Sequence, residues 1–542
     1  MSGAAVSRDA AADPLVALVP RPAELALHPG RFVIPATPNL TAGPGAGRAA
    51  DLLAQYLGDD RARTNAPDTP GIRLDLVETA DRRLGNDRGP ADRESYALQI
   101  RTERVTLTAP HEAGLFHAVQ TLRQLLPAGA ADPAAASGTA WSWPCLTIRD
   151  APRLPWRGVL LDVARHFMPP QFLYRFVDLL ALHKLNVLHL HLTDDQGWRI
   201  EIDGLPLLTE IGAWRAQSMI GPAGSDRFDG VPHGGYYTRR ELASLVQYAA
   251  ARGIRIVPEI DLPGHARAAL AAYPRVGNEP DRRLSVWTSW GVSEDIFGVH
   301  DEALDFCREV LGQTLGLFPG RYLHIGGDEC PTRQWETSAA ARARVRELGL
   351  GSPGELHGWF LSQMRDFLAE HGRRAVCWDE TGHAADARLP ADVALTAWRE
   401  VEHGRRAVRR GHQVIMAPHL STYFDYPQRD HPDEPPGHPQ GITTLRDVYR
   451  FEPLAGALRV ADPDDGLRPG VLGTQAQLWT EFAPTPAHVE YLAFPRLCAL
   501  AEVAWSGTRD YADFTARLAR HAGLLRALGV PVGARIAETM DA

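Results

Sequence analysis

The feature that most constrains this chain is a rhythm. From Trp156 onward, short apolar runs rich in Val, Ile and Leu alternate with stretches of helical spacing. The runs are RGVLLDVAR, KLNVLHLHLTDD, GIRIVPEID, RYLHIGGDE, RRAVCWDE, VALTAWRE, HQVIMAP and VLGTQAQLWTE. Such runs suit strands buried on both faces, and strands of that kind separated by helices build a parallel sheet. Eight of them predict an α/β fold closed as a (β/α)8 TIM barrel. Almost every run finishes on a polar or charged residue: Arg165, Asp194, Asp261, Glu329, Glu380, Arg399 and Glu481. Barrel chemistry gathers at the C-terminal ends of the strands, so a site is sought there.

What precedes the barrel has a different pattern. Residues 1–150 read as a small α+β domain. Ala46 to Tyr56 has helical spacing, and Ile72 to Val77 alternates as a strand does. Tyr96, Leu98 and Ile100 share one face of a second strand, Val105 and Leu107 one face of a third, and Arg101-Thr102-Glu103 suits the turn between them. HEAGLFHAVQTLRQLL then places Leu115, Val119, Leu122 and Leu126 on one helical stripe. A soft Ala/Gly/Pro/Ser stretch, Pro127 to Gly138, marks the boundary. The barrel is expected over 151–510, with a helical segment packed on it over 511–542. HVEYLAFPRLCALAEVAW and ADFTARLARHAGLLRAL read as one helix each. The Pro/His/Asp-rich stretch QRDHPDEPPGHPQG, 428–441, follows the seventh run and reads as a surface loop near the site, its function unreadable.

Composition excludes some partners. The formal net charge is −9, and nothing basic invites nucleic acid or an anionic membrane. No apolar run approaches the ~20 residues of a membrane helix. MSGAAVSRDAAADPLVALVP lacks the basic and apolar blocks of a signal peptide, and five scattered cysteines without a CxxC make a poor disulfide framework. A cytoplasmic location with reduced thiols is the expectation.

The local chemical signal is HIGGDEC, 324–330: a run ending in two glycines, then Asp328 and Glu329. The glycines permit a tight bend or a close backbone approach. Neighbouring carboxylates raise one another's pKa, which suits a general acid, although an acidic strand end capping a helix explains the pair equally well. Trp378, Trp398 and Trp479 stand near the ends of three separate predicted strands, with Tyr423 and Trp335 in the same loops. Amphipathic rings at equivalent ends suggest a pocket for a sugar, which offers apolar faces and polar edges. Arg165, Asp194, Asp261, His265, Asp425 and Glu481 could converge on one polyhydroxylated ligand. His189 and His191 share a strand face and could bind a metal; two hydrogen-bonded core histidines is the simpler account.

Five ordered blocks, RGVLLDVARHFMP, KLNVLHLHLTDDQGWRIEI, EIDLPGHARAAL, HIGGDEC and AFPRLCALAEVAWS, resemble the family 20 glycoside hydrolases, and PRPAEL resembles the opening of that family's N-terminal domain. The resemblance runs from about Val19 to Ser506. It implies an exo-acting, retaining β-N-acetylhexosaminidase that removes terminal N-acetylglucosamine or N-acetylgalactosamine by substrate assistance, outside the two-carboxylate scheme. It makes Glu329 the general acid and then base, and Asp328 the acceptor of the acetamido N–H. Tyr423 becomes the donor to the acetamido oxygen, and Trp378, Trp398 and Trp479 the walls around it. Arg165 resembles the residue that grips O3 and O4, Glu481 a partner for O4 and Asp425 one for O6. Asp194, Asp261 and His265 resemble supporting residues around the acid, His265 leaning toward Glu329. No cofactor or metal is called for; the partner is a terminal N-acetylhexosamine of an oligosaccharide or glycoconjugate. The alternatives are a metal-dependent barrel hydrolase built on His189 and His191, a non-catalytic sugar-binding barrel, and a lacto-N-biosidase-like relative with a larger pocket. Natural glycan, epimer preference and oligomeric state are not readable.

Overall fold

The computed structural model describes residues 16–35, 38–58, 71–77, 93–127, 129, 141–380, 389–456, 458–461 and 468–532. Residues 1–15 of the stretch read for a leader and most of the Pro127–Gly138 boundary stretch lie outside these residues.

The first domain is a six-stranded mixed sheet: β1 (Glu24–Val33), β2 (Asn39–Ala42), β3 (Gly71–Leu76), β4 (Tyr96–Ile100), β5 (Arg104–Ala109) and β6 (Ser142–Asp150), in the order β1-β6-β4-β5-β3-β2. Tyr96, Leu98, Ile100, Val105 and Leu107 all turn inward, because a period of two puts alternate residues of each strand on one face. Two helices, Gly47–Leu57 and Glu112–Gln124, cover that face. Leu115, Val119 and Leu122 are fully buried along the stripe that their spacing laid out.

The second domain is a closed barrel of eight parallel strands: β7 (Trp156–Asp162) and β8 (Val187–His191), then β13 (Arg255–Glu259), β14 (Tyr322–His324), β15 (Arg374–Trp378), β16 (Ala394–Ala397), β17 (Gln413–Met416) and β18 (Gly470–Leu478), closing back on β7. Each predicted run supplies one strand. Between β8 and β13, two small ribbons, β9 (Thr193–Asp194) with β10 (Gly197–Trp198) and β11 (Trp214–Arg215) with β12 (His233–Gly234), build up the barrel mouth. A single apolar cluster fills the space between barrel and outer helices, while Trp156, Val187, Val257, Tyr322, Val376 and Ile415 plug the barrel interior.

The C-terminal helices differ from expectation. HVEYLAFPRLCALAEVAW is two helices, Pro486–Ala493 and Arg496–Trp505, broken at Phe494-Pro495. Proline has no N–H to donate, and its ring clashes with the turn before it. Trp505 crosses to the first domain, where its Nε1–H donates to Asp150 at 2.9 Å. The last helix, Tyr511–Ala527, packs on the barrel core through Phe514, Leu518, Ala522 and Leu525. No helix among the described residues is long and apolar enough to cross a membrane, and all five cysteines are free.

Candidate active site

A cavity of about 150 Å³ opens at the C-terminal end of the barrel. Arg165, Asp328, Glu329, Trp378, Trp398, Tyr423, Asp425, Trp479 and Glu481 line it. They come from six of the eight strand ends, and the shared direction of parallel strands is what brings them together.

The two carboxylates are not on strand backbone, as their adjacency to a β-run suggested. β14 stops at His324, and the chain turns through Gly326 (φ 65°) and Gly327 (φ 95°). A Cβ on Gly326 would lie 1.7 Å from Oδ1 of Asp261, so no other residue fits there. Asp261 Oδ1 also accepts from Gly327 N–H at 3.2 Å. Asp261 therefore holds the turn that presents Asp328 and Glu329. Glu329 itself takes φ 46° and faces His265, which takes φ 48°. Such angles cost non-glycine residues of the order of 1–3 kcal/mol and persist only where the surroundings impose them.

Behind the cavity lies a chain of alternating charge. Asp194 accepts from His191 Nε2 at 2.8 Å on Oδ2 and faces His265 Nδ1 at 3.1 Å on Oδ1; Arg165 Nη2 pairs with Oδ2 at 2.8 Å. Nε2 of His265 stands 3.7 Å from Glu329 and 3.8 Å from Asp328. Burial opposes charge on His265, but Asp194, Asp195 and Glu329 outweigh it and hold the imidazolium's pKa well above the usual range. Arg165 is likewise desolvated, yet Asp194, Glu481 and Asp162 raise its pKa further. Asp194, Asp261 and His265 do not line the cavity; they stand behind it, against the groups that do.

The proton distribution departs from the sequence argument. The facing imidazolium of His265 lowers the pKa of Glu329, against the effect of burial. Burial pushes Asp328 up to about 7, helped by Glu329 and Glu259 and opposed by His265. The carboxylate with the raised pKa is therefore Asp328, not the expected acid. Asp328 Oδ1 and Asp425 Oδ1 are buried and find no hydrogen-bond partner in the protein, nor does Trp398 Nε1. Buried polar atoms are nearly always paired, so three orphans round one cavity mark where a ligand's polar groups fit.

The aromatic walls are in contact. Trp378 and Trp479 have ring centroids 5.7 Å apart, Trp398 stacks on Tyr423 at 6.3 Å, and Arg165 lies over Trp479 at 4.9 Å. Trp335 does not join them; it is fully buried and donates to the carbonyl of Phe297 at 3.0 Å.

His189 and His191 are buried in the barrel against Glu259. His191 Nδ1 is 2.6 Å from Glu259 Oε2 and its other nitrogen serves Asp194. His189 Nε2 is 3.0 Å from the same oxygen, and Gln475 donates to its Nδ1 at 3.0 Å. Each ring nitrogen already has a protein neighbour, which suits core histidines better than ligands of an ion. The cluster of His189, Glu259 and His324 has metal-ligand composition, but it is threaded by the indole N–H of Trp378.

Sequence reasoning missed several groups. Asp162, at the end of β7, accepts from the backbone of Ala164 and Arg165 and from Thr480, and so ties the Arg165 turn to the Trp479–Glu481 segment. It was visible only as one more acidic strand end. Tyr426, His438 and Gln440 also line the cavity. The last two come from the 428–441 loop, which Arg429–Glu434, Tyr491 and a His438 N–H to Asp425 carbonyl bond of 2.8 Å hold in place. Nothing in the loop's composition told which side chains turn inward.

Comparison with known proteins agrees with this geometry. The model of "Glycosyl hydrolase family 20, catalytic domain" matches residues 154–508, and that of the family's domain 2 matches residues 15–151. A β-N-acetylhexosaminidase of Cellulomonas fimi is 34% identical over 530 residues, 94% of either chain. A β-hexosaminidase of Porphyromonas gingivalis is 37% identical over 433 residues, 79% of this chain and 53% of that protein, so the chain spans about half the length of this relative. A crystal structure of a GH20 exo-β-N-acetylglucosaminidase from Vibrio harveyi, in complex with N-acetylglucosamine, superposes with a TM-score of 0.81 at 32% identity, covering 95% of this chain and 78% of that one. On these matches the chain belongs to glycosyl hydrolase family 20.

Proposed function

We propose that this chain is an exo-acting, retaining β-N-acetylhexosaminidase that releases a terminal N-acetylglucosamine or N-acetylgalactosamine with the help of the sugar's own acetamide. One observation carries the reading: Asp328 and Glu329 face a single small cavity walled by Trp378, Trp398 and Trp479, and a buried oxygen of Asp328 waits there without a donor. An acetamido N–H is such a donor. Bound to Asp328, it favours the ionised carboxylate and lowers a pKa that burial had raised. The acetamide oxygen then attacks C1 while Glu329 protonates the leaving oxygen, giving a cyclic oxazolinium beside the carboxylate of Asp328. Water, deprotonated by Glu329, reopens the ring with retention. The catalysis is positioning and charge placement, with no enzyme–sugar bond.

Substrate binding also expels water from around Glu329, which raises its pKa toward that of a working acid. In the free site, Asp328 and Glu329 share one proton between two apparent pKa values. Arg165, Asp425 and Glu481 line the same cavity and would hold the ring hydroxyls of one sugar. Five unpaired thiols support a reducing compartment such as the cytoplasm.

The test is hydrolysis of chromogenic β-N-acetylglucosaminide and the matching β-glucoside, with a thiazoline analogue of the oxazolinium as inhibitor. The expected result is turnover of the first substrate only and competitive inhibition. Equal turnover of the glucoside, or indifference to the thiazoline, would sink substrate assistance.

A further inference from the structure

Glu259 is the last residue of β13, and its carboxylate is fully buried in the barrel, beneath the cavity rather than in it. Strand register sets it level with His191 on β8 and His324 on β14. Four ring nitrogens surround its two oxygens. Oε1 accepts from Trp378 Nε1 at 2.7 Å and lies 3.0 Å from His324 Nδ1; Oε2 lies 2.6 Å from His191 Nδ1 and 3.0 Å from His189 Nε2. A carboxylate taken out of water at this depth is costly unless charge and hydrogen bonds compensate it, and an apolar barrel interior would avoid the cost altogether.

Trp378 links this buried group to the site. Its indole is a cavity wall beside Asp328, and no other hydrogen bond fixes the ring's rotation among the described contacts. The ring is wedged between His324, at 4.8 Å, and Trp479, at 5.7 Å. We infer that Glu259 is a positioning residue for the acetamide pocket: by anchoring the Trp378 N–H it sets the wall against which the substrate's N-acyl group fits. The inference rests on the hexosaminidase reading above. Its consequence is selectivity for the acyl group. A pocket wall held in one place discriminates against an added methylene by about tenfold or more. A wall released from its anchor yields to the larger group.

The experiment compares kcat/KM for aryl glucosaminides bearing N-acetyl and N-propanoyl groups, in wild type, Glu259→Ala, Glu259→Gln, Trp378→Phe and the Glu259→Ala/Trp378→Phe pair. Wild-type turnover of the N-acetyl substrate is read first; its absence defeats the functional reading, not this one. Glu259→Ala and Trp378→Phe are each expected to narrow the acetyl preference by about fivefold or more, and the pair to narrow it no further. Glu259→Gln keeps a carbonyl oxygen for the indole N–H and is expected to keep the preference within about twofold, whatever its rate. A folded Glu259→Ala enzyme with the wild-type preference, or effects of the two changes that multiply, overturns the inference. Should Glu259→Ala fail to fold, Trp378→Phe decides, since an unchanged preference there overturns it too.

Discussion

Two buried clusters of charge in this molecule are built from the same residue types and serve opposite ends. At the seam between the domains, Asp150 is fully buried, and both its oxygens are used. Oδ1 accepts from the backbone of Ala23 and Ala151 and from Trp505; Oδ2 accepts from Tyr96 at 2.8 Å and from Lys184 at 2.9 Å. At the barrel mouth, Asp328 keeps one buried oxygen without a donor and has only a distant imidazole, 3.8 Å away, near the other. Backbone strain does not separate the two. Lys184 at the seam takes φ 58°, as His265 and Glu329 do at the mouth with 48° and 46°. Satisfaction separates them. A saturated cluster has nothing left to offer a ligand and holds two domains together; an incomplete one is finished by substrate.

The contrast can be broken most directly at the mouth. Glu329→Gln should lower kcat on an aryl N-acetylglucosaminide by about a thousandfold, the scale of a lost general acid, and leave thermal stability near wild type. Asp328→Asn should cost about a hundredfold or more. Unfolding in place of either loss would make the mouth a structural cluster like the seam. The converse change is Lys184→Met. It leaves a buried Asp150 without its cation, and about 3 kcal/mol of stability should go in chemical denaturation while kcat/KM stays within about twofold. A loss of activity without a loss of stability would erase the distinction.

Smaller effects sharpen it. Gly326→Ala forces a Cβ into Asp261 at a left-handed position and should cost about 2–3 kcal/mol together with activity, because the turn that aims both carboxylates must shift. The remaining effect is in pH. Burial pushes the pKa of Asp328 up to about 7 in the folded chain, from an ordinary value of 3.8, so the folded chain binds the extra proton between those values. Stability should therefore fall as pH rises across that window, by up to about 1.4 kcal/mol per unit, and Asp328→Asn should flatten the slope. The same shared proton predicts that kcat/KM declines above about pH 7. In Asp328→Asn the decline should move to lower pH, because Glu329 alone lies below its usual range. A profile that ignores the substitution would show that the pair does not share its proton.

Much of this was open to reading before any coordinates. Apolar runs declare barrel strands because both faces of such a strand are buried, and burial leaves a local trace in composition. Spacing likewise exposed the Leu115–Val119–Leu122 face. HIGGDEC pointed to the reactive pair, and the three strand-end tryptophans pointed to its walls. The sequence misled where one residue overruled a pattern, as Pro495 did in a stretch whose periodicity reads as a single helix.

What the chain's order alone determined is therefore architecture and inventory: which segments are strands, and which polar side chains stand at their ends. Only the tertiary structure decided how those side chains divide the labour. Asp194, Asp261 and His265 stand behind the cavity, Trp335 stands apart from it, and His438 and Gln440 enter it from a loop of unreadable composition. It also decided that the raised pKa falls on Asp328 rather than Glu329. The reason is that strand patterns are written within about ten residues, whereas charge, desolvation and hydrogen-bond supply at a buried carboxylate come from neighbours on other strands. His265 and Glu259 reach Asp328 only once the barrel has closed.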